Sequence, residues 1–437
     1  MKWRLFIACL LGAGLTGSAT AQDADKATLE KGRYLAAASD CAACHSVHGK
    51  PEYSGGVSFS LPMGKIYSTN ITPDPEHGIG SYTEAQFGRA VREGIRRDGS
   101  TLYPAMPFPS YARMTDSDIH ALFVYFRKGV PAASVPTPDN EIPWPLSMRW
   151  PLTVWRWVFA PTPHTAIPRT AGEFTDPKLA RGAYLVEGPA HCGACHSPRA
   201  ITMQEKALTA DGGSLYLSGG AVVDGWTPPS LRQENRTGLG RWREEDIVAF
   251  LKTGRAETGS VFGSMTSAVL HGTQKLTDED LRAIAHYLKS LQAADQSQTP
   301  WNYDPTITDQ LHKADLSSRG ARVYIDRCAA CHRTDGKGYP AVFPPLAGNP
   351  VVMQSDPVSL VHIVQAGATL PAMMAAPSSI AMPAFNHKLT DQQIADVVTF
   401  IRRAWGNNAS PVSADDVKQF SKSMPPSDMA DDTPALN

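Results

Sequence analysis

Cys41-Ala42-Ala43-Cys44-His45 has two counterparts further along the chain, Cys192-Gly193-Ala194-Cys195-His196 and Cys328-Ala329-Ala330-Cys331-His332. Cys-x-x-Cys-His is the attachment signature of c-type haem. Each thiol adds to one porphyrin vinyl, the two-residue gap matches the spacing of the vinyls, and the adjacent imidazole reaches the iron. A single copy would also suit a redox Cys-x-x-Cys or half a zinc site beside a chance histidine. Three complete copies in similar settings argue against that. The motifs predict three covalently bound haem c groups on Cys41, Cys44, Cys192, Cys195, Cys328 and Cys331, with His45, His196 and His332 as proximal iron ligands.

The chain has 437 residues, enough for two to four ordinary domains, and the motif spacing favours three. A net charge of −1 points to no nucleic-acid partner. Lys2 and Arg4, the apolar run Leu5 to Leu15 and the small residues Ala19-Thr20-Ala21 read as an export signal over residues 1–21. The run is too short to span a bilayer, which takes about 20 residues. Losing Lys2 and Arg4, with no acid removed, takes the charge from −1 to −3. Cys9 leaves with the signal, and the other six cysteines all belong to haem motifs. None is left for a disulfide, so covalent haem does the stapling.

A basic residue followed by glycine precedes each motif: Lys31-Gly32, Arg181-Gly182 and Arg319-Gly320. Glycine costs a helix about 1 kcal/mol relative to alanine, so its recurrence predicts close helix–helix contact. Each segment ends in an apolar helical pattern, Ile119 to Phe126, Leu281 to Leu288 and Ile394 to Ile401, announced by capping sequences at Thr115, Thr277 and Thr390. An opening helix packed on a closing helix around haem is the small cytochrome c fold. The prediction is a mainly α protein of three tandem cytochrome c-type domains at 22–128, 169–295 and 296–410. Asn70 to Gly94 aligns without a gap onto Ser230 to Gly254, making the first two units sisters. Phe343-Pro344-Pro345-Leu346 in the third resembles the loop beyond the proximal histidine of single-haem cytochromes.

Residues 129–168 form a Pro/Trp-rich linker with Trp144, Trp150, Trp155 and Trp157. Two readings stand: burial against its own domains, or contact with a partner subunit or lipid headgroups. Residues 411–437 read as a polar tail whose composition predicts disorder.

The distal ligand separates an electron carrier from a catalytic haem, because methionine closes the iron and raises its potential. Met106 in unit one, Met265 in unit two and Met382 in unit three occupy similar places. Met114 competes in unit one, His271 is the fallback in unit two, and Met353, Met373 and Met374 compete in unit three.

Four further stretches carry a family likeness: Tyr67 to Thr72, Leu102 to Pro107, Ile142 to Trp150 and Ile201 to Leu208. Together they resemble the three-haem cytochrome c subunit of membrane-bound bacterial dehydrogenases, most of all that of gluconate 2-dehydrogenase; related subunits serve sorbitol, fructose, alcohol and aldehyde dehydrogenases. The resemblance implies a separate flavin or quinone subunit that oxidises substrate, ubiquinone as acceptor, often a small third subunit, and a place at the periplasmic face of the cytoplasmic membrane. Members commonly meet the membrane through C-terminal residues, but this tail, ending Pro434-Ala435-Leu436-Asn437, has no clear apolar face. A haem peroxidase needs one open iron, against which three distal methionines count. A free periplasmic shuttle is the remaining alternative.

Overall fold

The computed structural model describes residues 16–61, 63–166, 174–222 and 225–423. The charged and apolar parts of the predicted export signal lie outside them. The proposed cleavage site falls inside the first helix, Thr16–Ala38.

Each unit is built on an opening and a closing helix. The pairs are Thr16–Ala38 with Asp116–Val124, Pro177–Glu187 with Asp278–Ser290, and Arg319–Arg327 with Asp391–Arg403. All three closing helices start where the capping sequences predict. Thr115, Thr277 and Thr390 accept hydrogen bonds from the backbone N–H groups of Asp118, Asp280 and Gln393, satisfying donors that the first turn leaves orphaned. The recurring glycine sits at the crossing. A Cβ added to Gly32, Gly182 or Gly320 would stand 2.0, 2.0 or 2.3 Å from the carbonyl oxygen of Ala121, Ala283 or Asp396. Backbone meets backbone there, and only glycine allows it.

Each unit has its own apolar core. Leu35, Phe87, Ile119 and Phe126 anchor the first; Leu185, Ile247 and Leu281 the second; Tyr324, Val361, Ile394 and Trp405 the third. Among the described residues, strands are confined to two antiparallel hairpins, Ser58–Leu61 with Gly64–Tyr67 and Ala368–Leu370 with Ile380–Met382.

The sister units face each other in a near two-fold arrangement. Tyr34 of unit one donates its hydroxyl to Asp280 Oδ2 of unit two at 2.5 Å, and Tyr184 of unit two donates to Asp118 of unit one. The backbone N–H groups of Thr277 and Thr115 donate to the same two hydroxyls. Arg181 holds Asp280 through two 2.7 Å hydrogen bonds, while Lys31 reaches Asp118 at 2.6 Å. Unit three has Arg322 and Gln393 at the corresponding places and packs on unit two differently. Trp226 stacks on His362 with ring centres 3.9 Å apart, and Val261, Val269, Leu370 and Met373 form a small cluster between the units.

Two expectations are revised. The chain beyond residue 410 does not leave the fold at once: Val412 and Val417 are buried in the third core and the helix Ala414–Ser423 packs on the closing helix. Its apolar residues are too sparse to stand out among Asp, Lys and Ser, so composition hid them. Residues 424–437 lie outside the described residues. The linker divides in two. Val130, Ala133 and Ile142 are buried against unit one, whereas Trp144, Trp150 and Trp157 stand out from the surface.

Candidate haem-iron sites

The three motif histidines share one geometry. Nδ1 of His45 lies 2.6 Å from Thr69 O, that of His196 lies 2.8 Å from Pro229 O, and that of His332 lies 2.9 Å from Pro344 O. A carbonyl only accepts, so Nδ1 carries the proton and Nε2 is left as a lone-pair donor. This is how the outer partner of a metal-binding histidine sets its tautomer and ring orientation. Burial lowers the pKa of all three rings, with the carbonyl bond pulling partly the other way, which keeps them neutral and fit to ligate. Thr69 and Pro229 directly precede the sister stretches aligned in sequence, and Pro344 lies in the loop likened to single-haem cytochromes.

A second shared feature escaped the sequence reading. The carbonyl of each histidine accepts from a glycine N–H: Gly55 at 2.8 Å, Gly219 at 2.8 Å and Gly338 at 3.1 Å. All three glycines have positive φ, which lets the chain turn back beneath the motif. The glycine clusters Gly55-Gly56, Gly219-Gly220 and Gly336-Lys337-Gly338 were the available signal.

The remaining site residues gather unit by unit. Cys41 and Met106 flank the first core, Cys192 and Met265 the second, and Cys328 and Met382 the third, all partly buried. Burial raises the Cys192 and Cys328 thiols to about 12 and Cys41 higher still. Redox or zinc cysteines need the opposite shift. Of the competing methionines, Met114 shares the first core with Met106 but is almost fully buried inside it, Met353 sits against Arg236, Met373 belongs to the cluster between units two and three, and Met374 is exposed. The residues present fit a haem in each unit, held by two cysteines and a histidine with a methionine on the same core.

Between the Met106 loop and the second motif lies a crevice of about 30 Å³ lined by Pro104, Pro107, Trp155, Ala194, Arg199 and Glu205. Glu205 Oε2 is buried there without a hydrogen-bond partner, and burial raises its pKa to about 7. A Cβ on Gly193 would come within 2.7 Å of that oxygen.

The family model for cytochrome c matches residues 29–129, 179–292 and 317–405. The chain is 50% identical over 420 residues to the cytochrome c subunit of alcohol dehydrogenase (quinone) from Gluconobacter oxydans, covering 96% of this chain and 87% of that protein. It is 52% identical to the gluconate 2-dehydrogenase cytochrome c subunit of Pantoea cypripedii, with 95% and 94% covered. With the fructose dehydrogenase cytochrome subunit of Gluconobacter japonicus it shares 37% identity over 92% of this chain and 84% of that one. Three helix pairs, three oriented histidines and these matches agree: the chain belongs to the cytochrome c family, as a three-domain electron-transfer member of the dehydrogenase-subunit group.

Proposed function

We propose that the mature chain holds three haems with His/Met ligation and relays electrons from a substrate-oxidising dehydrogenase subunit to ubiquinone at the periplasmic face of the cytoplasmic membrane. His45, His196 and His332 are the proximal ligands and Met106, Met265 and Met382 the distal ones. Bound haem supplies a one-electron iron couple; the protein's part is to hold, space and tune it. What carries the reading is the repeated pairing of a histidine oriented through Nδ1 with a methionine on the same core, which leaves no iron open for substrate. The partner oxidises a sugar acid such as gluconate or a primary alcohol. The likeness to gluconate and alcohol relatives is equally high, and family likeness does not fix substrate. A small third subunit completes the complex.

Mass spectrometry of the exported protein should show three haem additions after loss of the signal. The purified chain, mixed with gluconate or ethanol and a ubiquinone analogue, should turn over neither substrate until its dehydrogenase subunit is added. Turnover by the isolated chain would sink the relay. Haem reduction by only one substrate–partner pair decides between the two partners.

A further inference from the structure

Glu205 turns a carboxyl oxygen inward where units one and two and the linker helix meet the second haem motif. Its Oε2 is shut off from solvent and makes no hydrogen bond, whereas a buried carboxylate is as a rule paired. The oxygen lies against the motif itself, because Gly193 sits between Cys192 and Cys195 and has no room for a Cβ beside it. The adjoining crevice of about 30 Å³, bounded by Pro104 and Pro107 of unit one and Trp155 of the linker helix, has room for about one water molecule.

The groups around the carboxyl leave it uncompensated. Arg199 and Arg113 are the cations that act on it, and both are engaged elsewhere. Arg199 donates to Met203 O and Ala194 O, each at 2.6 Å, and Arg113 donates to Pro109 O at 3.2 Å. Tyr216 packs on Gly193 from the other side, and burial keeps its hydroxyl protonated. His191, just before the motif, is lowered by burial to about 4 and stays neutral. Ser197 and Gln204 carry no charge, Lys206 is exposed, and Arg156 of the linker helix does not line the crevice. Of the lining residues, only Glu205 and Arg199 are ionisable.

We propose that Glu205 is a redox-linked proton site for the haem on Cys192 and Cys195, taking up one proton from water when that iron is reduced and returning it on oxidation. An electron added beside the carboxylate raises its affinity for a proton, and the low-dielectric surroundings make that coupling strong. The balance is one electron from the dehydrogenase subunit and one proton from water, matched on reoxidation by one electron to the quinone and one proton to water. The only bond made or broken is the Glu205 O–H bond. Burial has already moved this carboxyl to about 7, so a modest change of field switches it near neutral pH. The inference deepens the relay proposed above and rests on it for the presence of haem at the second motif.

The test is spectroelectrochemical titration of the full-length, haem-loaded chain at a series of pH values, with soluble mediators and no dehydrogenase subunit. The wave of unit two is the one that Met265→Ala displaces. If the reduced state binds the proton about tenfold more tightly, that wave should fall by about 59 mV in all as pH rises through about 7, and run flat on either side. Glu205→Gln, nearly the same in shape, should abolish the fall and hold the wave at its low-pH value. Glu205→Asp, which keeps an ionisable group, should keep a pH-dependent wave. Reduced-minus-oxidised infrared spectra near neutral pH should show a protonated carboxyl gained on reduction in the wild type and none in Glu205→Gln. A wild-type wave that is flat across neutral pH would overturn the proposal. So would an unchanged fall in Glu205→Gln, since the proton is then held elsewhere, on a haem propionate. Chemical mediators keep this separate from the relay. A fall that depends on Glu205, with no reduction by any dehydrogenase subunit, removes the relay and leaves the proton site; intact reduction with a flat wave does the reverse.

Discussion

Gly182→Ala puts two effects of opposite sign at one atom. Alanine should favour the helix Pro177–Glu187 by about 1 kcal/mol. Its Cβ, however, would lie 2.0 Å from Ala283 O and 2.7 Å from the Ala283 carbonyl carbon and Tyr287 Cβ, against an ordinary C···O contact of about 3.3 Å or more. Both obstacles are backbone or the root of a side chain, so no rotamer change relieves them. The opening and closing helices must separate by about 1 Å, which forfeits a quarter to a half of each dispersion contact along the seam. Overpacking of this kind costs about 1–3 kcal/mol, and the stiffness of a backbone obstacle puts the cost at the upper end. The net loss is about 1–2 kcal/mol, or a midpoint lowered by about 3–12 °C for a unit of this size. Gly88→Ala is the control: it too is helical, but its Cβ would meet side-chain atoms alone, the Ile119 Cγ2 methyl at 3.3 Å and Arg92 Nη2 at 3.9 Å, with no backbone in the way. It should be neutral or stabilising by up to about 1 kcal/mol. The assay is thermal unfolding followed by far-ultraviolet circular dichroism on haem-loaded protein. A midpoint for Gly182→Ala equal to or above the wild type would refute the argument, since propensity would then outweigh contact.

Met382→Ala should create one high-spin haem of lower potential, whereas Met373→Ala should leave spectrum and potential unchanged and loosen only the contact between units two and three; redox titration with visible spectroscopy tells them apart. The Glu205 carboxyl, raised by burial to about 7, binds its proton more tightly in the folded than in the unfolded state. The stability this gives is complete below the unfolded value near 4.5 and is lost as pH rises through about 7. Glu205→Gln should match the wild type near pH 4 and exceed it near pH 8 by about 2–3 kcal/mol, read from urea midpoints at both pH values. Val417→Asp would bury a charge in the third core and should cost about 3 kcal/mol or more, seen as rapid protease cleavage after residue 410 with the haem spectra of units one and two unchanged.

What the amino-acid order settled by itself was local. The haem motifs, the capping threonines and the glycines of the helix crossings depend on residues a few positions apart, where covalent geometry and helix periodicity leave little freedom. The same locality made the three-domain, mainly α architecture legible, because each unit repeats one spacing pattern around its own motif. The carbonyls that orient the histidines lie 24, 33 and 12 residues past them, so no fixed spacing announces them, and only the fold brings Thr69, Pro229 and Pro344 into place. The facing of units one and two rests on Tyr34–Asp280 and Tyr184–Asp118, pairs 246 and 66 residues apart; a tyrosine in a helix carries no sign of its partner until two surfaces meet. The tertiary structure alone also decided which tryptophans of the linker face water and that Val417 belongs to a core. Burial is a property of what packs against a residue, and that is set by the whole chain.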